Sequence, residues 1–202
     1  MGIAEPGRMS ADAFLDWLAR QSERHELVDG FPVRLMAGAK QSHNVVTTNL
    51  VVVLAPSAKA SGCRTTSSDT AVRTGSHSIR FPDVVVDCGP PDPSAREAAN
   101  PTVVVEVASP GTSVVDLTDK LDEYRRHAAI RVIVLVEPDI VSVKVYRRID
   151  AERWAVERYD TLDATIPVPE IDTAIAVADV YDTLEPAPAP RLRLVGGSQP
   201  GG

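Results

Sequence analysis

Aromatic side chains are scarce in this chain, with Phe, Trp and Tyr making up 4% of its 202 residues. A paired-carboxylate glycosidase would present rings on which sugars stack, and so few rings weigh against one. Only two cysteines are present, Cys63 and Cys88. That is too few for the disulfide framework of a small secreted domain, and the pair is expected to be reduced and buried in a cytoplasmic protein. His25, His77 and His127 show no zinc-ligand spacing, so a structural zinc is not expected. No apolar run approaches the roughly eighteen residues of a membrane span. The N-terminal "MGIAEPGRMS" has neither the basic start nor the apolar core of a signal peptide, so no membrane association is expected. An excess of base is missing too: the net charge is −7, which argues against nucleic-acid binding through bulk charge alone.

What is present is ordinary for a globular domain, with 44% hydrophobic and 24% charged residues. A flexible N-terminus over 1–9, one domain over 10–185 and a disordered Pro- and Gly-rich tail over 186–202 are expected. The acid is unevenly placed. From Asp83 to Glu123 nine acids face only Arg96 and Lys120, whereas "VYRRIDAERWAVERY" further on is basic. The acidic stretch is where a cation would go.

The element pattern is α/β, with a central mixed sheet flanked by helices behind an N-terminal helix and hairpin. "SADAFLDWLARQSER" reads as an amphipathic helix capped by Ser10. "HELVDGFPVRL" is a hairpin turning at Asp29-Gly30. "SHNVVTTNLVVVLAPSAKASG" predicts a helix that starts at Ser42 and stops near Pro56 and Gly62. "CRTTSSDTAVRT" and "IRFPDVVVDC" read as two strands joined by a Gly-Ser turn, followed by a polar loop. "TVVVEVAS" and "IRVIVLVEP" have the continuous apolar character of strands covered on both faces, with the helix "SVVDLTDKLDEYRRHA" between them. "VSVKVYRRI" and "RWAVERYD" extend the sheet, and "IPVPEIDTAIAVADVYDTL" closes the domain with an edge strand and a short helix.

Glu106 sits inside the Val-rich run "PTVVVEVAS". An ionised carboxylate buried there needs a cation, a hydrogen-bond network or a metal. Asp83, behind Pro82 at the mouth of "PDVVV", can converge on the same point if the two strands are neighbours. A pair of carboxylates, joined by the Val107 carbonyl, suits a hard oxygen-seeking cation. On the following helix Leu117, Leu121, Tyr124 and Ala128 form the apolar stripe. Lys120 falls about 60° from its centre, at the border of the buried face.

These pieces together resemble the PD-(D/E)XK nuclease superfamily and, within it, the Uma family of bacterial endonucleases. The matching stretches are "HELVDG" at 25–30, "SHN" at 42–44, "PDVVV" at 82–86, "VVEVASPGT" at 104–112, and Asp116, Lys120 and Tyr124 in "DLTDKLDEY". The resemblance implies a restriction-endonuclease-like fold, with Mg²⁺ or Mn²⁺ at Asp83 and Glu106. Glu26 would then hold a metal-associated water or a second metal. The lysine usual two residues after the strand acid is here Ala108, and in Uma relatives its place is taken from the next helix, at Lys120. DNA is the implied substrate and a homodimer the implied assembly, since two centres are needed for double-strand scission. His43, Ser109, Thr112, Asp116 and Tyr124 are implied to surround the substrate or support these groups. For each a plainer role is open: hydrogen bonding for His43, helix capping for Ser109 and Thr112, pairing with Lys120 for Asp116, core packing for Tyr124. The alternative to an enzyme is a catalytically silent relative acting as a binding or assembly module.

Overall fold

The computed structural model describes residues 8–35, 38–109 and 114–190, with the backbone alone for 114–116. It is a mixed α/β fold with three sheets. Helix α1 (Ala11–Leu18) opens with the Ser10 hydroxyl accepting from the Ala13 N–H, as its cap position predicts. Strands β1 (His25–Val28) and β2 (Phe31–Arg34) form the expected hairpin. Asp29 and Gly30 both take positive φ, 49° and 89°, which is what a two-residue type I′ turn demands.

Helix α2 runs Gln41–Ala60, stopping just before Gly62 as expected, and differs from the sequence expectation at its start and at Pro56. Lys40 occupies the cap position, while the Ser42 hydroxyl bonds Asp139. Pro56 lies within the helix rather than ending it. The carbonyl its missing N–H would have met belongs to Val52, which is 64% exposed and open to water. Val46, Leu50, Leu54 and Ala58, at i, i+4, i+8 and i+12, bury one face, and that packing outweighs the kink penalty of about 3 kcal/mol.

The run "CRTTSSDTAVRT" is two strands, β3 (Arg64–Ser67) and β4 (Val72–Gly75), broken where Ser68 takes a φ of 35°. The next run also divides, into β5 (Ser78–Arg80) and β6 (Val84–Asp87), on either side of "FPD". Proline supplies no ladder donor, so the chain leaves one sheet there and enters another. A small sheet has the order β2-β1-β5-β4 and packs Leu27 and Ile79 on α1.

The large sheet has the order β10-β9-β8-β7-β6-β3, where β7 is Pro101–Val107, β8 Val132–Glu137, β9 Ser142–Arg148 and β10 Trp154–Tyr159. Only β7 and β8 are parallel, joined by α3 (Val114–Arg126), as a crossover requires. Helix α2 covers one face through Val84, Val86, Val103, Val105, Val132 and Val134. Helix α3 covers the other, with Leu121 and Tyr124 against Val85, Val104 and Ile133. This double coverage explains why both runs read as continuously apolar.

The closing segment is a hairpin of its own, β11 (Thr165–Val168) with β12 (Thr173–Ala176), then the one-turn helix α4 (Val177–Val180). Of the residues expected to form the tail, Ala187 bridges Ile140, and 191–202 lie outside the described residues.

Cys63 and Cys88 form a disulfide, which corrects the expectation of a reduced pair. Arg64 pairs with Asp87 across β3 and β6, so the residues just outside that pair face each other, with Cα atoms 4.2 Å apart. No helix among the described residues is long and apolar enough to cross a membrane.

Candidate active site

Cross-strand register brings the acids together. Val84 pairs with Val105 in the antiparallel β6–β7 ladder, which sets Asp83 opposite Glu106 on the α3 face. Past the end of β6 the Val107 N–H donates to Asp83 Oδ2 at 2.8 Å instead of to a strand carbonyl. In a strand the N–H and C=O of one residue point to the same edge, so the Val107 carbonyl also faces the Asp83 side. The other Asp83 oxygen lies 3.4 Å from His43 Nε2, presented by the first turn of α2. His43 Nδ1 is buried without a hydrogen-bond partner among the described residues. The Asp83 hydrogen bond raises the His43 pKa, and burial opposes it.

The small sheet contributes the third acid. Leu27 pairs with Ile79 and both face α1, so Glu26 and Arg80 are opposite one another on the other face. Both are buried, at 2% and 1% exposure, and Arg80 Nη1 donates to Glu26 Oε2 at 3.0 Å. Arg80 also grips Glu123 of α3 with two hydrogen bonds, Nε to Oε2 at 2.9 Å and Nη2 to Oε1 at 2.6 Å. The Thr74 hydroxyl donates to the same Glu123 carboxylate. Burial works against the guanidinium charge, but Glu123 and Glu26 more than offset it and leave the Arg80 pKa raised.

That grip sets the register of α3 and delivers Lys120. Its ammonium stands 3.1 Å from Glu26 Oε1 and 3.5 Å from Glu106 Oε1. Lys120 is 7% exposed and therefore inside the buried face, not at its border. The angular estimate from the apolar stripe missed this because two carboxylates reaching from the sheets let an ammonium be buried there. Tyr124, one turn on, donates its hydroxyl to Glu106 Oε1 at 2.6 Å, so it is a core side chain with a polar task as well.

Glu106 is the most perturbed acid here. Burial pushes its pKa up, Lys120 opposes, and the Asp83 and Glu26 charges push it up further, to about 7. Tyr124 is raised well above the usual phenol range by burial and by the Glu106 charge. Four carboxylates (Glu26, Asp83, Glu106 and Glu123) face two bases, Arg80 and Lys120, with His43 able to offset one more.

Glu26 spends its oxygens on Arg80, Lys120 and the Phe81 N–H. The geometry thus gives it Arg80 and Lys120 to hold. Among the described residues no three His, Cys, Asp or Glu groups are assembled as a metal ligand set. Ser109 follows β7 and is partly buried, while Thr112 and the side chain of Asp116 lie outside the described residues.

A family model, Uma2, described as "Putative restriction endonuclease", matches residues 11–178. The chain belongs to the Uma2 family. A Synechocystis protein described as uncharacterized is 28% identical over 176 residues, which span 86% of this chain and 92% of that protein. A solved Anabaena variabilis structure, described as a "putative nuclease" of DUF820, matches with a TM-score of 0.69 at 22% identity. The match covers 86% of the Uma2 chain and 97% of the Anabaena one, so the two share a fold. Sequence reasoning named Glu26, Asp83, Glu106 and Lys120, and the fold brings these four together. It missed Arg80 and Glu123. The signals available were a basic residue between Ile79 and Phe81, directly before the Pro-Asp step, and an acid three residues after Lys120 on the same helix face.

Proposed function

We propose that this Uma2 protein is a divalent-metal-dependent endonuclease that hydrolyses DNA phosphodiester bonds. In this reading Asp83, Glu106 and the Val107 carbonyl hold Mg²⁺ or Mn²⁺, and Lys120 is the catalytic lysine. The observation that carries it is Glu106, a buried acid with its pKa raised to about 7, set opposite a second carboxylate. A doubly charged cation relieves both the desolvation and the mutual repulsion of such a pair. The donors are all oxygen, and Mg²⁺ is commonly held by one or two carboxylates with waters completing its shell. When bound, such an ion polarises a phosphoryl oxygen and lowers the pKa of a coordinated water.

The chain's own groups do the rest. Lys120, anchored by Glu26, presents an ammonium beside Glu106, where negative charge grows on the phosphoryl oxygens in the transition state. Arg80 and Glu123 fix α3 so that this ammonium does not drift. Tyr124 orients Glu106, and His43 orients Asp83. Ser109 and Thr112, ahead of α3, enter the reading as phosphate contacts, and Asp116 as a neighbour of Lys120. A homodimer would set two such centres on opposite strands.

Calorimetric titration with Mg²⁺ and with Mn²⁺ tests the metal site. Wild type is expected to release or absorb heat that Asp83→Ala lacks, and equal heats in the two proteins would remove the metal from the account. One observation favours a second reading, a catalytically silent binding or assembly module. Glu26, Arg80, Glu123 and Lys120 already compensate one another without a metal. A protein that binds no divalent ion and nicks no DNA would be that module.

A further inference from the structure

The row of residues that sets Asp83 opposite Glu106 continues across the large sheet. Glu106 pairs with Leu135, Leu135 with Lys144, and Lys144 with Arg158. All lie on the face that carries α3, because partners across a ladder share a face. Two acids at one end of the row are therefore followed by two bases at the other. With strands about 4.8 Å apart, Lys144 stands about 10 Å from Glu106 at the backbone and Arg158 about 14 Å.

The basic stretch from Lys144 to Arg158 is otherwise engaged. Arg147 is bound by Glu157 and the Pro167 carbonyl, with Glu170 at 3.5 Å. Arg148 donates to the carbonyls of Ile130, Arg125 and His127 and lies over the Trp154 ring. Arg153 is paired with Asp150. Lys144 and Arg158 are left: neither side chain makes a hydrogen bond or ion pair among the described residues. Lys144 is half-buried and lines a cavity of about 30 Å³ together with Glu106, Leu117, Leu135 and Glu137, so it opens on the site itself. Arg158 is exposed beyond it. From α3, Leu117 lines the same cavity and Arg125 lies over the Tyr146 ring, two residues along from Lys144.

We infer that Lys144 and Arg158 are a backbone-binding track that holds consecutive phosphates of a nucleic-acid strand leading away from the Asp83–Glu106 pair. The inference rests on the nuclease reading for its substrate class. Each strand of a duplex carries a phosphate per roughly 3.4 Å of axis, so the 10–14 Å reach spans three or four phosphates from the reacting one. Neither base is paired among the described residues, so binding breaks no ion pair there. They also account for how a chain of net charge −7 attracts a polyanion: attraction is local, one side of an acidic centre. Contacts of this kind position the strand without reading its sequence.

The test is fluorescence-anisotropy binding of a labelled duplex across a range of salt, with Ca²⁺ in place of Mg²⁺ to slow turnover. Lys144→Gln and Arg158→Gln are each compared with wild type, and Lys59→Gln on the distant end of α2 serves as control. Each track variant is expected to lower the magnitude of the slope of log K against log[salt] by about 1, with Lys59→Gln unchanged. Glu137→Gln, which removes an acid from the shared cavity, is expected to tighten binding. Slopes equal to wild type in both track variants overturn the inference, as does a wild type that binds no duplex. A wild type that binds with the track-dependent slope but never cleaves in Mg²⁺ would reject the nuclease reading while leaving the track in place.

Discussion

Replacing Glu106 with Gln asks whether the acid at the heart of the site is as perturbed as its surroundings require. The residue is 8% exposed, and its pKa stands near 7 against an ordinary value of 4.5. Between those two pH values the folded protein keeps a proton that the unfolded chain has released. Stability attributable to Glu106 is therefore full below about pH 4.5 and lost as pH rises toward 7. At 1.36 kcal/mol per pK unit the loss is about 3 kcal/mol. Gln cannot ionise, but its carbonyl still accepts from the Tyr124 hydroxyl, and Lys120 keeps Glu26. Urea denaturation of both proteins without metal, from pH 4 to pH 8, reads the difference directly. The stability of Glu106→Gln relative to wild type should rise by about 3 kcal/mol over that range, or roughly 6–12 °C in Tm for a chain of this size. Mg²⁺ at pH 8 should stabilise wild type and leave the variant unmoved. Parallel stability–pH curves for the two proteins would refute the reasoning, because Glu106 would then titrate as an ordinary exposed acid.

The other predictions concern the groups around it. Arg80→Leu takes the guanidinium from Glu123 and leaves buried Glu26 with Lys120 alone, and should lose about 3–5 kcal/mol in a denaturant titration. Tyr124→Phe removes a hydrogen bond that favours the Glu106 anion, so the pH midpoint for Mg²⁺ binding should move upward in calorimetric titrations, with the fold intact by circular dichroism. Reduction of Cys63–Cys88 reopens a loop with a sequence separation of 25 residues and should cost about 3 kcal/mol, read as a fall in Tm with dithiothreitol.

Local signals in the sequence reported local structure well. Asp29-Gly30 specified its turn because so few residues tolerate two consecutive positive φ values, and the Val-rich β7 and β8 were visible because both faces are covered. Asp83 and Glu106 could be named since each is an acid in an otherwise apolar or strand-like context, whereas Glu26 came only from the resemblance carried by "HELVDG". What escaped was decided by distant partners. Pro56 marks a helix stop by propensity, but the packing of Leu50, Leu54 and Ala58 carries α2 through it. Ser68 gave no warning of the break that sends β3 and β4 to different sheets. Arg80 was hidden because its role depends on β1 lying beside β5 and on α3 folding back over both. The depth of Lys120 had the same origin, since periodicity scores a lysine by its own helix and not by the carboxylates it meets. Cys63 and Cys88 became partners only through the β3–β6 register, which their number and spacing did not reveal.

Cleavage of supercoiled plasmid in Mg²⁺ bears most directly on the claim that Asp83, Glu106 and Lys120 form one catalytic centre. Wild type should convert the plasmid to nicked and linear forms, and chelation should stop it. Lys120→Ala should lower the rate by roughly 10²–10³-fold, on the scale of losing one transition-state donor. Cleavage by Lys120→Ala and Asp83→Ala at the wild-type rate would contradict the account, because the activity would then arise somewhere other than this site.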